Sequence, residues 1–401
     1  MKFIHFADAH LDSPFRGLSF LPSKAFNQIY RASDESLTKI VDLALQEQVD
    51  LVLIAGDTFD STHPSPRSQL FFAEQIKRLT DAEIQVVMIF GNHDHMPEAD
   101  LLVNSSPYFK LLGPNQQVEA KNFVTKSGFN YRVVGFSYLN NHIVEDKLPE
   151  FPAKDDRYTF GIMHAQEKTS TNSQNVYAPF TLAEIKDLNY DYFALGHIHL
   201  RQIISHEPLA VFPGNIQGRH INELGAKGCY LGKIDEETKQ TKLEFHPTSP
   251  IVWQSVDVHL TEAISKNGLR DRLQSACQPQ QTTYYSIRLH GAELLNDEEI
   301  DLVQDNSFWP SLPLDSQIVD LRFVTEEKMQ LGDSDQESFE QAQKEIFSEK
   351  EFLHAALDWA KKDPVAEKAA SDDQFRQEVE ALAKIKLSQK LKGFADETET
   401  D

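Results

Sequence analysis

The chain has 401 residues, with 39 Lys and Arg against 62 Asp and Glu, and so carries a formal charge of −23 at pH 7. That charge argues against a protein that grips nucleic acid over its whole surface, because phosphate contacts require clustered cations. The two cysteines, Cys229 and Cys277, are too few for a disulfide framework, and no run reaches the ~18 apolar residues of a membrane span, so a cytoplasmic protein is expected.

The first two hundred residues alternate short apolar runs with amphipathic stretches. Residues 2–7 read as a buried strand, 36–48 as a helix with Leu37, Ile40, Val41, Ala44 and Leu45 on one face, and 51–55 as the next strand. This β-α-β pattern repeats in a helix at 65–79, with Pro66 in its first turn, and a strand at 85–90. Further strands are predicted at 132–136, 158–163 and 192–195, which makes this portion α/β with a largely buried sheet. Beyond Pro213, Gly-rich turns separate candidate strands at 229–234 and 242–245, and the run His246-Pro247-Thr248-Ser249-Pro250 marks a boundary. The expected organisation is a first domain over 1–246, a small α+β domain over 251–325, and an acidic helical tail over 326–401 that offers a docking surface. The small domain is expected to hold strands at 253–258, 284–289 and 318–324 and a helix at 261–276. In the tail Phe375, Val379, Leu382 and Ile385 recur at helical spacing, and packing within their own domain is the expectation for them.

Five motifs carry chemistry, and four of them directly follow a predicted strand. They are Asp8-x-His10, Gly56-Asp57-x-x-Asp60, Gly91-Asn92-His93-Asp94, the single His164, and Gly196-His197-x-His199. Side chains at the carboxyl ends of strands in an α/β sheet converge on one crevice. The converging groups are carboxylates, imidazoles and one carboxamide, without a Ser, Cys or Lys nucleophile, so they point to a metal such as Mn²⁺, Fe²⁺ or Zn²⁺. Asp8, His10, Asp57, Asn92, His164, His197 and His199 are too many for one ion. Two divalent ions ~3.5–4 Å apart and sharing a carboxylate, here assigned to Asp57, would use all seven, as in phosphoryl hydrolysis. Two ions, two carboxylates and a hydroxide leave one net positive charge, which matches a phosphodiester, though the sum leaves a phosphomonoester open as well. His93 is expected to contact the phosphate or protonate the leaving oxygen, with Asp94 orienting its ring. Asp60 is expected to brace its turn and not to ligate, and His95 is left without a role. Arg16, Arg219 and His220 are candidates for lining a substrate groove.

The order D-x-H, G-D-x-x-D, G-N-H-D, H, G-H-x-H resembles the calcineurin-like metallophosphoesterases over roughly residues 1–240. The runs from Phe3 to Asp12 and from Gly56 to Asp60 look like the SbcD-type DNA repair exonucleases. Those from Asp12 to Leu18 and from Pro213 to His220 are similar to the YhaO branch. The resemblance implies two packed mixed β-sheets flanked by helices. It implies one metal held by Asp8, His10, Asp57 and His199 and another held by Asp57, Asn92, His164 and His197, with manganese the common ion. His93 matches the family's catalytic histidine and Asp94 its supporting acid. Ala9 departs from the Leu, Thr or Ser more usual between the first two ligands. The function so implied is metal-dependent hydrolysis of DNA phosphodiesters beside an SMC-type coiled-coil ATPase, with a homodimer kept as an option. A phosphatase or cyclic-nucleotide phosphodiesterase on the same core, and a mainly scaffolding subunit, are the alternatives.

Overall fold

The computed structural model describes residues 1–15, 17–168, 175–278, 281–305, 307–309, 316–324, 333–360 and 364–398. Arg16 and the expected boundary at 325/326 lie outside the described residues. The chain divides into two units, Met1–Trp253 and Gln254–Asp401.

The first unit contains β1 (Lys2–Phe6), α1 (Ser23–Glu47), β2 (Leu51–Ala55), α2 (Pro66–Asp81), β3 (Gln85–Ile89), β4 (Phe109–Leu111), β5 (Glu119–Val124), β6 (Asn130–Gly135), β7 (Tyr158–His164), α3 (Leu182–Leu188), β8 (Tyr192–Gly196), β9 (Gln202–His206), β10 (Leu209–Phe212), β11 (Gly228–Ile234) and β12 (Thr241–Pro247). Two six-stranded mixed sheets result, ordered β12-β11-β1-β2-β3-β4 and β5-β6-β7-β8-β10-β9. Strands β1 to β4 run parallel in the first, as do β6, β7, β8 and β10 in the second.

The continuous apolar runs follow from burial on both faces of each sheet. Along β1, Ile4 and Phe6 face α1 and α2 with Val52, Ile54, Val86 and Met88, whereas Phe3 faces the second sheet with Leu51, Leu53, Val87 and Ile89. Opposite them stand Tyr131, Val133, Tyr158, Phe160 and Tyr192. The Phe3 ring meets Phe160 and Tyr192 edge-on at 5.1 and 5.0 Å, and each such side chain withdrawn from water contributes about 1.5–3 kcal/mol. This aromatic layer locks the two sheets face to face, so the loops at their strand ends are held in register.

Several boundaries differ from the sequence reading, among them the start of the helix expected at 261, which lies at Lys266, and the largest shift is in the first helix. Helix α1 begins at Ser23 and not near 36, because buried Ala25, Ile29 and Ala32 continue the Leu37–Ala44 stripe toward the N-terminus. Pro22 in extended backbone starts it without a side-chain cap, so it lacks the usual Ser, Thr, Asp or Asn signal.

In the second unit, β13 (Val252–His259), which begins at the boundary, joins β14 (Thr283–His290) and β15 (Gln317–Val324) in a three-stranded sheet. The helices are α4 (Lys266–Ala276), α5 (Asp297–Gln304), α6 (Asp333–Ile346), α7 (Glu349–Ala360), α8 (Pro364–Ala370) and α9 (Asp373–Thr398). Its core packs Leu269, Leu273, Ile300 and Val303 on Ile287, Leu289 and Ile318, and α9 adds Ile385 and Leu382. Val379 packs in a smaller cluster with Phe352, and Phe375 lies beside the Phe352 ring. The helical stripe is therefore used inside its own unit. No helix among the described residues is long and apolar enough to cross a membrane.

Candidate dinuclear metal centre

The chemistry-bearing loops follow β1, β2, β3, β7 and β8, all at the carboxyl ends of parallel strands. Backbone bonds from Asp8 N to Gly56 O and from His10 N to Asp57 O, both 3.0 Å, tie the first two loops together. Asp8, His10, Asp57 and His197 all take left-handed backbone, with φ of 53°, 44°, 51° and 98°. Such conformations cost of order 1–3 kcal/mol each in non-glycine residues and cluster where geometry serves a site. Two glycines permit the close approach. A Cβ on Gly91 would lie 2.2 Å from Asp57 Oδ1, and one on Gly196 would lie 1.9 Å from the Ala55 carbonyl oxygen.

The donor atoms meet at short range. His164 Nε2 lies 3.2 Å from Asp57 Oδ2 and 3.1 Å from Asn92 Oδ1. His10 Nε2 faces His199 Nε2 at 3.0 Å and Asp57 Oδ2 at 3.9 Å, and His199 Nε2 is 4.0 Å from Asp8 Oδ1. Two groups of donors emerge, Asp8 with His10 and His199, and Asp8 with Asp57 and His164. The His197 ring stands 5.2 Å from that of His164, and its backbone N–H donates to both Asp8 oxygens at 3.1 Å. All seven expected ligands are thus brought to one crevice, where Asp8 belongs to both groups and Asp57 lies within 4 Å of His10 and His164.

The site fits cations on its own chemistry. Asp8, His10, Asp57, Asn92 and His164 are buried, yet among the described residues no Lys or Arg pairs with Asp8 or Asp57. Donor separations of 3–4 Å match the spacing that ligands about 2.1 Å from a shared cation would have. Burial pushes the Asp8 carboxyl up to about 6 and the His10 and His197 imidazoles down to about 4 and about 3. For Asp57 and His164 burial opposes ionisation but their mutual attraction prevails, holding Asp57 well below the usual carboxylate range and raising His164 to about 9. Metal takes neutral imidazoles and ionised carboxylates, so His10, His197 and Asp57 already stand in the binding form, whereas His164 must release a proton as a cation enters.

The residues around the donors revise the sequence reading. Asp94 does not orient His93: its Oδ1 accepts from Gly91 N at 2.7 Å and its Oδ2 from Thr58 N at 2.7 Å. It is fully buried and staples the β2 and β3 loops, and burial beside Asp57 pushes its carboxyl up to about 7. His93 is exposed, its ring 5.2 Å from that of His10, and its backbone N–H donates to Asp57 Oδ1 at 2.9 Å. The carboxylate near His93 is Asp60, which groups with His10 and His93, lies 2.9 Å from His10 Nδ1 and pairs with Arg219 at 2.6 Å. Asp60 therefore braces a ligand, and the partners of its carboxylate among the described residues are His10 and Arg219 and not its own turn. His95 donates from its ring to the Asn92 carbonyl at 3.0 Å, closing the Gly91–His95 turn. Sequence reasoning missed Glu223, a buried carboxylate 2.6 Å from His199 Nδ1. Its only signal was position, three residues past the singled-out run that ends at His220.

A separate group in the second unit, Asp257, His259 and His290, is already satisfied, since the Asp257 carboxylate pairs with Arg288 and accepts from His290 Nε2 at 2.7 Å.

Residues 1–201 match the family model described as calcineurin-like phosphoesterase. Over 271 residues the chain is 35% identical to the uncharacterized metallophosphoesterase YhaO of Bacillus subtilis (strain 168), covering 67% of this chain and 65% of that one. It is 25% identical over 240 residues to the DNA double-strand break repair protein Mre11 of Archaeoglobus fulgidus, covering 56% and 52%. The corresponding protein of Sulfolobus acidocaldarius is 27% identical over 214 residues, half of each chain. The chain spans between half and just under two-thirds of the length of these curated relatives. Among solved structures, a dimetal phosphatase from Danio rerio is 13% identical, with 62% of this chain and 96% of that one covered at a TM-score of 0.40.

Proposed function

The chain belongs to the calcineurin-like phosphoesterases, and on that premise we propose that it is a metal-dependent phosphodiesterase acting on DNA ends, working with a coiled-coil ATPase of the SMC type. The observation that carries the reading is the convergence of seven donors on one crevice beside an exposed histidine. Asp8, His10, Asp57 and His199 would hold one divalent cation and Asp57, Asn92, His164 and His197 the other, with Mn²⁺ the proposed ion. The cations, when bound, supply an activated water and positive charge for the phosphoryl oxygens.

The remaining work falls to this chain's own side chains. Asp57 fixes the His93 backbone through its Oδ1, so the base of the His93 side chain is anchored to the ligand that both cation positions share. The exposed His93 ring donates a proton to the departing oxygen or a hydrogen bond to the phosphate. The Asp94 staple keeps the β2 and β3 loops at their spacing, which sets Asp57 against Asn92. Similarity to Mre11 over about half of each chain supports DNA as the substrate, and the overall charge of −23 makes a partner that holds the duplex a natural complement.

The test is hydrolysis by the purified chain with Mn²⁺, comparing linear duplex DNA and a bis-aryl phosphate with an aryl monoester. The reading expects cleavage of both diesters, abolished by chelation. A monoester preferred by orders of magnitude, or activity that survives chelation, contradicts it.

A further inference from the structure

Glu223 is 8% exposed, in a turn far in sequence from every ligand but His199 and His197. Both of its oxygens are engaged. Oε1 accepts from His199 Nδ1 at 2.6 Å and lies 3.2 Å from His220 Nε2, while Oε2 accepts from Asn215 Nδ2 at 2.7 Å and from the Arg219 backbone N–H at 2.6 Å. Asn215 is itself fully buried and is fixed by a second bond to the Gln217 carbonyl at 2.7 Å. The carboxylate therefore cannot swing away from His199. With Nδ1–H committed to Glu223, the lone pair of His199 sits on Nε2, the atom that faces His10 and Asp8. Buried Lys227 completes the grip by donating to the His199 carbonyl at 2.8 Å.

The same segment reaches the other imidazole of this group. Arg219 donates from Nε to Ser13 Oγ at 3.1 Å and pairs with Asp60, which lies against His10 Nδ1. Both histidines of the Asp8, His10, Asp57 and His199 position thus have a carboxylate behind them. The second position differs. His164 Nδ1 is backed by the neutral Ala55 carbonyl at 3.0 Å, and among the described residues no carboxylate is bonded to the His197 ring.

We propose that Glu223 is the positioning residue for the cation held by Asp8, His10, Asp57 and His199, and that its loss weakens this cation and spares the other. The inference rests on the reading of the crevice as a two-cation centre. A Gln at 223 offers one acceptor where two are in use, so either His199 or the Asn215 and Arg219 donors lose their partner. An Asp keeps both acceptors but falls short of His199. Loss of an outer carboxylate of this kind typically weakens metal affinity 10–100-fold.

The experiment is a Mn²⁺ titration of the full chain followed by electron paramagnetic resonance, for wild type, Glu223→Gln and Glu223→Asp, with melting of each metal-free protein as a control on folding. The wild type is expected to give the multiline signal of an exchange-coupled pair at two equivalents. Both variants are expected to keep one tightly bound, isolated Mn²⁺ with a six-line signal and to need 10–100-fold more Mn²⁺ for the coupled signal. A coupled signal at wild-type concentrations in either variant that melts like the wild type overturns the proposal alone. A wild type that never shows the coupled pair overturns the two-cation reading and this proposal together.

Discussion

His93 stands exposed while Asp8, His10, Asp57, Asn92 and His164 are buried around it. A ring so placed reaches a substrate without being needed to build the site. His93→Ala is therefore expected to lower kcat by about 10²–10⁴-fold, the usual contribution of a positioned acid, while Mn²⁺ stoichiometry stays that of the wild type. Equal loss of metal and activity on calorimetric titration would make His93 part of the scaffold instead. The seven donors were legible in the sequence because each sits in a short polar motif at or just beyond the end of an apolar strand, where side chains of a parallel sheet converge. Asp94 was misread for a related reason: adjacency to His93 suggested side-chain contact, yet successive residues in a tight turn point apart, and the Asp94 carboxylate turns inward to Gly91 and Thr58. Glu223 was illegible because a single Glu in a Gly-rich turn has neither periodicity nor motif. Only the fold brings it, 24 residues along the chain, onto His199.

At the scale of elements, the site depends on how closely β2, β7 and β8 approach at their carboxyl ends. Gly196 closes β8, pairs with His164 on β7, and leaves no room for a side chain against the Ala55 carbonyl at the end of β2. Gly196→Ala is expected to cost about 1–3 kcal/mol, as overpacking of a tight site does. It should also disturb the His164 Nδ1 bond to that same carbonyl, so the cation held with Asn92 and His164 should bind more weakly. Denaturant unfolding together with Mn²⁺ titration measures both effects, and a variant with unchanged stability and metal affinity would show that the strand ends are less constrained than the packing implies. The strands buried on both faces could be read directly from their unbroken apolar runs, whereas β4, β5, β9 and β10, short or partly exposed, went unread. The start of α1 could not, because Pro22 carries no capping side chain and the stripe of Ala25, Ile29 and Ala32 is small and interrupted by polar residues.

Across the whole molecule, the distribution of charge frames the function. A chain of net charge −23 concentrates buried acids and imidazoles in one crevice, and screening over roughly 8 Å lets that local chemistry act independently of the distant surface. The first unit carries every candidate ligand, and the Phe3, Phe160 and Tyr192 layer between its sheets holds the donor loops in place. The most direct measurement is an anomalous difference map from crystals of the chain grown with Mn²⁺. Two peaks are predicted, one among Asp8, His10, Asp57 and His199 and one among Asp57, Asn92, His164 and His197. No peak in the crevice, or a single peak with half of these side chains turned away from it, would contradict the account.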